Sequence, residues 1–440
     1  MTKLRSTLEE KVVAAVNEGR DELVELVASL VAFDTTARDN EEPAREEEAL
    51  QRLLAARLTA IGAETDLWEP PNTGTGNRHV PDDLDFKGRP QLAAWVRGAG
   101  GSGARSLLLN GHIDAVDVEP REKWSSDPFT AVVRDGRLYG RGVNDMKGGI
   151  AAYLFAVETL RRLGVKLAGD LCFCTVTDEE SSGAGGFAAV ARGVKADAGL
   201  IGEPTGFDAW VSCRGSLTPN ITVEGRAGHA EMAQPHWSAG GAVNAIDKMR
   251  PVLDEVRAVR EDWLTRPDQQ HPLLSPGTIV PTIIKGGTWD VTYPASCELT
   301  CELMYLPTHV DEQGTGRRIE REVQERIERA VAADPWFAEH PLRWFWDTDV
   351  VPGEIPADHP LVGLTLEAAS DLGHAGGKPD GFDSWHDAAT FTRSGTPTFS
   401  FGPGGAETAH AVDEYTPVQD LIDVAATVAV TAMRWCGVVE

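Results

Sequence analysis

Apolar residues recur at helical spacing through residues 4 to 62, and the polar segment DTTARDNEEPAREEE divides that stretch into two predicted helices. The acid run inside the segment reads as a solvated loop entering the second helix. Next, QLAAWVRG and SLLLNGHIDAV read as short apolar strands joined by AGGSGAR. This glycine-rich joint lacks the Gly-Lys-Ser/Thr ending of a phosphate loop and predicts a flexible hairpin. After LYGRGVNDMKGG come the helix IAAYLFAVETLRRLG, the strand DLCFCTVTDEE, the helix GAGGFAAVARG and the strand AGLIGEP. Strands alternating with helices require crossovers, and hence a largely parallel sheet covered on both faces.

Beyond residue 207 the pattern changes. SLTPNITVEG, the helix around GGAVNAIDKMRPVLDEVRAV, GTIVPTIIKGG, CELTCELMYLP, the helix GRRIEREVQERIERAVAA and LRWFW follow in the order βαββαβ. That order describes a self-contained split-βαβ domain. The first pattern then resumes with HPLVGLTLEAASDLG, TPTFSFGPGG and the final helix DLIDVAATVAVTAMRWC. The predicted fold class is α/β: a mostly parallel mixed-sheet domain from residues 1–207 and 351–440, with an inserted α+β domain at 208–350. No internal repeat or low-complexity segment interrupts it.

A length of 440 residues accommodates two domains, and 42% hydrophobic with 25% charged residues is a globular composition. No apolar run reaches the roughly 18 residues a membrane span needs. The charged, amphipathic N-terminus lacks the apolar core of a signal peptide, which predicts a cytoplasmic protein. Six cysteines without a Cys-x-x-Cys pair predict reduced thiols, with Cys172 and Cys174 as small buried hydrophobes. Acids exceed bases by 27, a charge that repels phosphate backbones and anionic bilayers, so neither nucleic acid nor membrane is an expected partner.

In NGHIDAVDV, His112 and Asp114 stand two apart at the end of an apolar strand and therefore point the same way. An imidazole that binds a metal through one nitrogen commonly gives its other N–H to a carboxylate. A core histidine bonded to a neighbouring acid would have the same spacing. The predicted strand ends and adjoining turns collect His112, Asp114, Asp145, Glu179, Glu180, Glu203 and His410, at the edge where open α/β sheets bind ligands. So many carboxylates in one place raise one another's pKa and resist burial unless positive charge compensates them. A pair of divalent metal ions removes the conflict. Imidazole with carboxylate suits zinc, cobalt or manganese better than magnesium or calcium.

These segments, GHIDAVDV, DPF, DGRLYGRGVNDMKGG, TDEESSGAGG, GEPT, GRAGHA and FGPGGAETAHAVDEY, resemble in type and order the M20-type dinuclear zinc deacylases and peptidases. That family includes acetylornithine deacetylase, succinyl-diaminopimelate desuccinylase, aminoacylase and glutamate carboxypeptidase. The resemblance implies that His112 and Glu203 hold one metal, Glu180 and His410 the other, and that Asp145 bridges them. It implies Asp114 as the acid orienting His112, Glu179 as general base, and His229 in the GHA turn as an oxyanion donor reaching into a partner subunit's site. It further implies a homodimer, a metal-binding catalytic domain, and an inserted domain serving as lid and dimerisation surface. Asp387 falls where the family has a structural aspartate beside the site, whereas His236, His374 and His386 receive no role.

The substrate-reading strand departs from the family pattern. Members acting on N-acyl α-amino acids commonly place an arginine in Asp-x-Arg-x-x-Pro, but CELMYLP has Met304 there, between Glu302 and Pro307. A thioether cannot clamp a carboxylate as a guanidinium does. Val291 likewise stands where asparagine is common. Arg214 and Arg393 are alternative cations. A subgroup of deformylases acting on an aminopyrimidine salvage intermediate shares the LDFKGRPQL lead-in and the strand without arginine. The leading expectation is a metal-dependent amidohydrolase that removes an acyl group, formyl or acetyl, from a nitrogen of a small molecule. The alternatives are a dipeptidase or carboxypeptidase of the same family and an inactive metal- or ligand-binding homologue, the last opposed by the intact base and ligand set.

Overall fold

The computed structural model describes residues 4–38, 44–71, 84–101 and 103–439. In chain order, helices α1 (Thr7–Glu18), α2 (Arg20–Val31) and α3 (Glu47–Ala60) precede strands β1 (Glu64–Trp68), β2 (Gln91–Val96), β3 (Leu107–His112), β4 (Val132–Arg134) and β5 (Arg137–Tyr139). Helix α4 (Lys147–Arg162), strand β6 (Leu171–Val176), helix α5 (Ala184–Arg192), and strands β7 (Ala198–Ile201) and β8 (Ala209–Cys213) follow. Then come β9 (Gly215–Glu224), α6 (Ala245–Trp263), β10 (Thr278–Gly286), β11 (Ser296–Tyr305), α7 (Arg317–Val331), α8 (Pro335–Glu339) and β12 (Arg343–Val350). The chain closes with β13 (Gly353–Glu354), α9 (Pro360–Asp371), β14 (Pro379–Phe382), α10 (Ala388–Arg393), β15 (Thr398–Ser400), β16 (Tyr415–Pro417) and α11 (Val418–Cys436). Two compact units result: Met1–Ser212 with Gly353–Gly381 and His386–Glu440, and Cys213–Pro352 with Phe382–Trp385.

The first unit is built on a mixed sheet of order β1-β2-β6-β3-β7-β15-β8-β13, with β14 paired to β8. Its centre, β6, β3, β7 and β15, is parallel, while β1 runs antiparallel to β2, β2 to β6 and β8 to β15. Every residue of β3, β6 and β7 is buried, as continuous apolar runs in a sheet covered on both faces require. The start of α4 lies close against the end of β7, and Gly149 permits it: a Cβ there would sit 1.9 Å from the Gly202 carbonyl oxygen.

Three sequence expectations are corrected. The joint after β2 is not a hairpin, because β6 lies between β2 and β3; the Ala99 and Gly100 N–H groups bond instead to the Leu167 and Ala168 carbonyls. Ser102 of that joint lies outside the described residues. The first predicted helix is two, α1 and α2, divided at Gly19, where a Cβ would meet the Phe155 ring at 2.5 Å. Of the acid run, residues 39–43 lie outside the described residues, but Glu47 is fully buried at the start of α3 rather than solvated.

The second unit is an antiparallel sheet of order β10-β11-β9-β12. Burial alternates strictly along β9, the mark of a sheet covered on one face. Helix α6 buries Met249, Val252, Val256, Val259 and Trp263, and α7 buries Ile319, Val323, Ile327 and Val331, both at helical spacing.

Candidate metal centre

The parallel strands β3, β6 and β7 all release their chains at one edge of the first unit's sheet. His112 is the last residue of β3, and Asp114 lies two beyond it. Strand β6 stops at Val176, earlier than the apolar pattern predicts, and a turn begins at Asp178, whose φ is +70°. The Ser182 and Gly183 N–H groups bond back to the Asp178 carbonyl. Glu179 and Glu180 sit in this turn, which frees both from strand alternation. Glu203 follows β7, Asp145 stands two residues before α4, and His410 precedes β16 with φ +62°.

These residues converge. His112 Nε2 lies 3.1 Å from Asp145 Oδ1, 3.8 Å from Glu203 Oε1 and 3.9 Å from Glu179 Oε2. His410 Nε2 lies 3.1 Å from Glu180 Oε2 and 3.4 Å from Asp145 Oδ2. Two donor sets therefore form, His112/Asp145/Glu203 and Asp145/Glu180/His410, each with its ligand atoms within 4.8 Å of one another. Asp145 belongs to both through different oxygens.

On the other side of the His112 ring, Nδ1 meets the Asp114 backbone carbonyl at 3.0 Å, while the Asp114 carboxylate stands at 3.6 Å. The carboxylate instead accepts the Glu180 N–H at 3.0 Å. Asp114 thus fixes the His112 ring through its main chain and the Glu180 turn through its side chain.

The electrostatics show how strongly this cluster demands positive charge. Burial drives the Glu179 and Glu203 carboxyls far above the usual range, opposed by His112 and reinforced by neighbouring acids. Burial likewise pushes Glu180 up to about 6, with Asp145 adding to it and His410 opposing. Asp145 is held low despite burial because both imidazoles bond to it. His112 rises despite burial through Asp145 and the surrounding acids, and hydrogen bonds to Asp145 and Glu180 push His410 up to about 10. Buried oxygens Glu180 Oε1 and Glu203 Oε1 have no hydrogen-bond partner. Orphaned carboxylate oxygens facing imidazole nitrogens fit divalent cations, which satisfy them without protons.

One supporting residue escaped the sequence reading. Glu414 is fully buried, and its carboxylate accepts the N–H groups of Gly142 (3.2 Å), Asn144 (2.7 Å) and Asp145 (3.0 Å) and the Arg141 guanidinium. It shapes the loop that presents Asp145. Its position four residues after His410 was the only signal.

Of the other candidates, Asp387 lies beside the cluster and the rest are dispersed. His229 belongs to the second unit, exposed in a turn bridged to Thr292. Asp387 is buried without a hydrogen bond to either carboxylate oxygen, and burial pushes it to about 7 although His112 opposes the shift. His374 bonds to Asp423 at 2.9 Å and stacks on Phe207, His236 meets Ser238 Oγ at 2.7 Å, and His386 lies buried beside Ser400. Arg214 donates to the carbonyls of Asp383 and Pro276, and Arg393 is exposed on α10. Met304 is buried on β11 of the second unit, opposite Thr278 and Ser216. All six cysteines are buried. No helix among the described residues is long and apolar enough to cross a membrane.

Fold and donor sets together fit a dinuclear metal-dependent hydrolase of amide bonds. Residues 108–434 match Peptidase family M20/M25/M40, and the chain belongs to that family. It is 30% identical to the N-formyl-4-amino-5-aminomethyl-2-methylpyrimidine deformylase of Halalkalibacterium halodurans, over 97% of each chain. It is 32% identical to a succinyl-diaminopimelate desuccinylase of Xanthomonas oryzae, covering 88% of this chain and 93% of that one. Among solved structures, human carnosine dipeptidase 1 superposes with a TM-score of 0.72 at 16% identity, covering 98% of this chain and 99% of that one. A Staphylococcus aureus tripeptidase superposes with a TM-score of 0.71 at 19% identity, covering 95% and 98%.

Proposed function

We propose that this enzyme removes the formyl group from the exocyclic aminomethyl nitrogen of a formylated aminopyrimidine, releasing formate and the primary amine. The observation that carries the reading is the similarity to a deformylase across 97% of both chains. Met304 supports it: an apolar side chain where a carboxylate clamp would stand suits an uncharged heteroaromatic substrate better than an N-acyl amino acid.

His112 and Glu203 would hold one divalent ion and Glu180 and His410 the second, with Asp145 available to both; zinc is the ion proposed. When bound, the pair supplies Lewis-acid polarisation of the formyl carbonyl and lowers the pKa of the attacking water. Glu179 takes the proton from that water as its oxygen bonds to the carbonyl carbon. It returns the proton to the amide nitrogen as the C–N bond breaks. Burial and its acidic neighbours raise the Glu179 carboxyl, and bound cations would oppose that shift and keep it ionised as a base requires. Asp114 keeps the His112 ring and the Glu180 turn in place.

The inserted unit serves as lid and dimerisation surface, with His229 donating to the oxyanion in the partner's site. Its edge strand β10 exposes Ile283 and Ile284, and Ile246 and Trp289 of the same unit are exposed as well. An apolar sheet edge of this kind invites pairing with a second copy. The acidic composition disfavours nucleic-acid and anionic-membrane partners, and the location proposed is cytoplasmic.

The decisive experiment assays formate release from N-formyl-4-amino-5-aminomethyl-2-methylpyrimidine beside N-acetylornithine and N-succinyl-diaminopimelate, with and without chelation. The formyl compound is expected to have the highest kcat/KM, lost on metal removal. Faster turnover of either carboxylated compound would overturn the substrate. Light scattering tests the dimer, which Ile283→Glu with Ile284→Glu is expected to dissociate.

A further inference from the structure

The lead-in to β2 carries a buried arginine that the mechanism leaves unused. Arg89 is 5% exposed. Its Nε donates to Glu47 Oε2 at 2.8 Å and its Nη2 to Asp178 Oδ1 at 2.8 Å. One planar guanidinium thus joins the start of α3 to the residue before Glu179, a task for which separate, fixed N–H groups are needed. Asp178 also takes the Ser182 hydroxyl on its other oxygen and has left-handed backbone, which a non-glycine residue keeps only where its surroundings hold it.

The same lead-in grips the preceding residue. Gln91 accepts the Thr177 N–H at 2.9 Å and donates to the Thr177 hydroxyl at 2.8 Å. Downstream, the Glu180 N–H is held by Asp114 at 3.0 Å. Glu179 is therefore bracketed by fixed residues on both sides, and the upstream anchor is Arg89.

We propose that Arg89 is a positioning residue for the general base: by holding Asp178 it fixes the turn that presents Glu179 and Glu180. The inference rests on the reading of Glu179 as the base. Misplacing a reacting group by about 1 Å costs on the order of a hundredfold in rate, whereas a buried ion pair that only stabilises the fold would leave kcat per folded molecule unchanged.

The test replaces Arg89 by lysine, which keeps charge but cannot span both acids. If Arg89→Lys does not fold, Asp178→Asn keeps the turn's shape and removes the charge that Arg89 holds. Amide hydrogen exchange of residues 177–183 in metal-free protein is expected to rise about tenfold or more, with the first unit unchanged apart from the start of α3, which Arg89 also holds. At saturating zinc, kcat for the formylated aminopyrimidine is expected to fall about 10- to 100-fold while KM stays within about threefold. Wild-type exchange in 177–183, or wild-type kcat with only a lower Tm, would overturn the proposal. Glu179→Gln run in parallel separates the two claims. If it remains active, the reading of Glu179 as base fails, and exchange alone decides whether Arg89 holds the turn. If it is inactive while Arg89→Lys keeps wild-type kcat, the base stands and the positioning role falls.

Discussion

Asp114 Oδ2 accepts the backbone N–H of Glu180 at 3.0 Å, so the residue beside one histidine holds the residue beside the other. Asp114→Ala leaves that N–H unpaired and frees the turn. Losing such an orienting partner typically costs 10- to 100-fold in metal affinity or activity. A chelator titration should show that loss, and an alanine variant binding both ions as tightly as wild type would make the contact incidental.

Because Asp145 contributes one oxygen to each donor set, its loss should differ in kind from loss of either histidine. Elemental analysis after dialysis is expected to show close to one ion per chain for His112→Ala and for His410→Ala, and less than one for Asp145→Ala. Equal loss in all three variants would mean the two positions fill only together.

Glu179→Gln keeps shape and polarity but cannot take a proton. It is expected to retain both ions and lose about 10²- to 10⁴-fold in kcat. Near-wild-type turnover would require another base.

His386 gives a pH prediction apart from the metal chemistry. Burial pushes its imidazole down to about 3. Below about pH 6.5 the unfolded chain therefore binds a proton that the folded chain refuses. Stability is complete above that pH and falls as the solution is acidified toward 3. Between pH 7 and 5 this amounts to about 2 kcal/mol. Urea titrations of metal-free protein at both pH values should show that loss reduced by about that amount in His386→Gln.

With Met304 in the strand, a free α-carboxylate should gain little. Matched N-acyl compounds with and without it are expected to differ less than tenfold in kcat/KM, about 1.4 kcal/mol. A larger preference for the carboxylated member would reveal a clamp elsewhere.

The convergence of His112, Asp145, Glu203, Glu180 and His410 was legible because strand order and motif order agree on one sheet edge. The pairing of β2 was not. An apolar run shows that a strand is buried but not which strand lies beside it, and two runs adjacent in sequence flank β6 instead. The division at Gly19 was hidden because Val12, Val16, Leu23, Leu26 and Val27 all face the core on either side of it. Glu47 looked solvated among its acidic neighbours, since its burial depends on an arginine 42 residues away. Glu414 was missed for the same reason: local composition is silent about a carboxylate whose donors lie about 270 residues earlier.

Strand β7 is flanked by β3, made long before it, and by β15, which follows roughly 200 residues later because the second unit is spliced between them. At about 5–20 residues per second, a nascent chain spends on the order of 10–40 seconds with that central edge of the sheet open. During this interval His112, Asp145 and Glu203 have been made but His410 has not. A ribosome-bound intermediate can offer at most one complete donor set, so hydrolytic competence arrives late in synthesis.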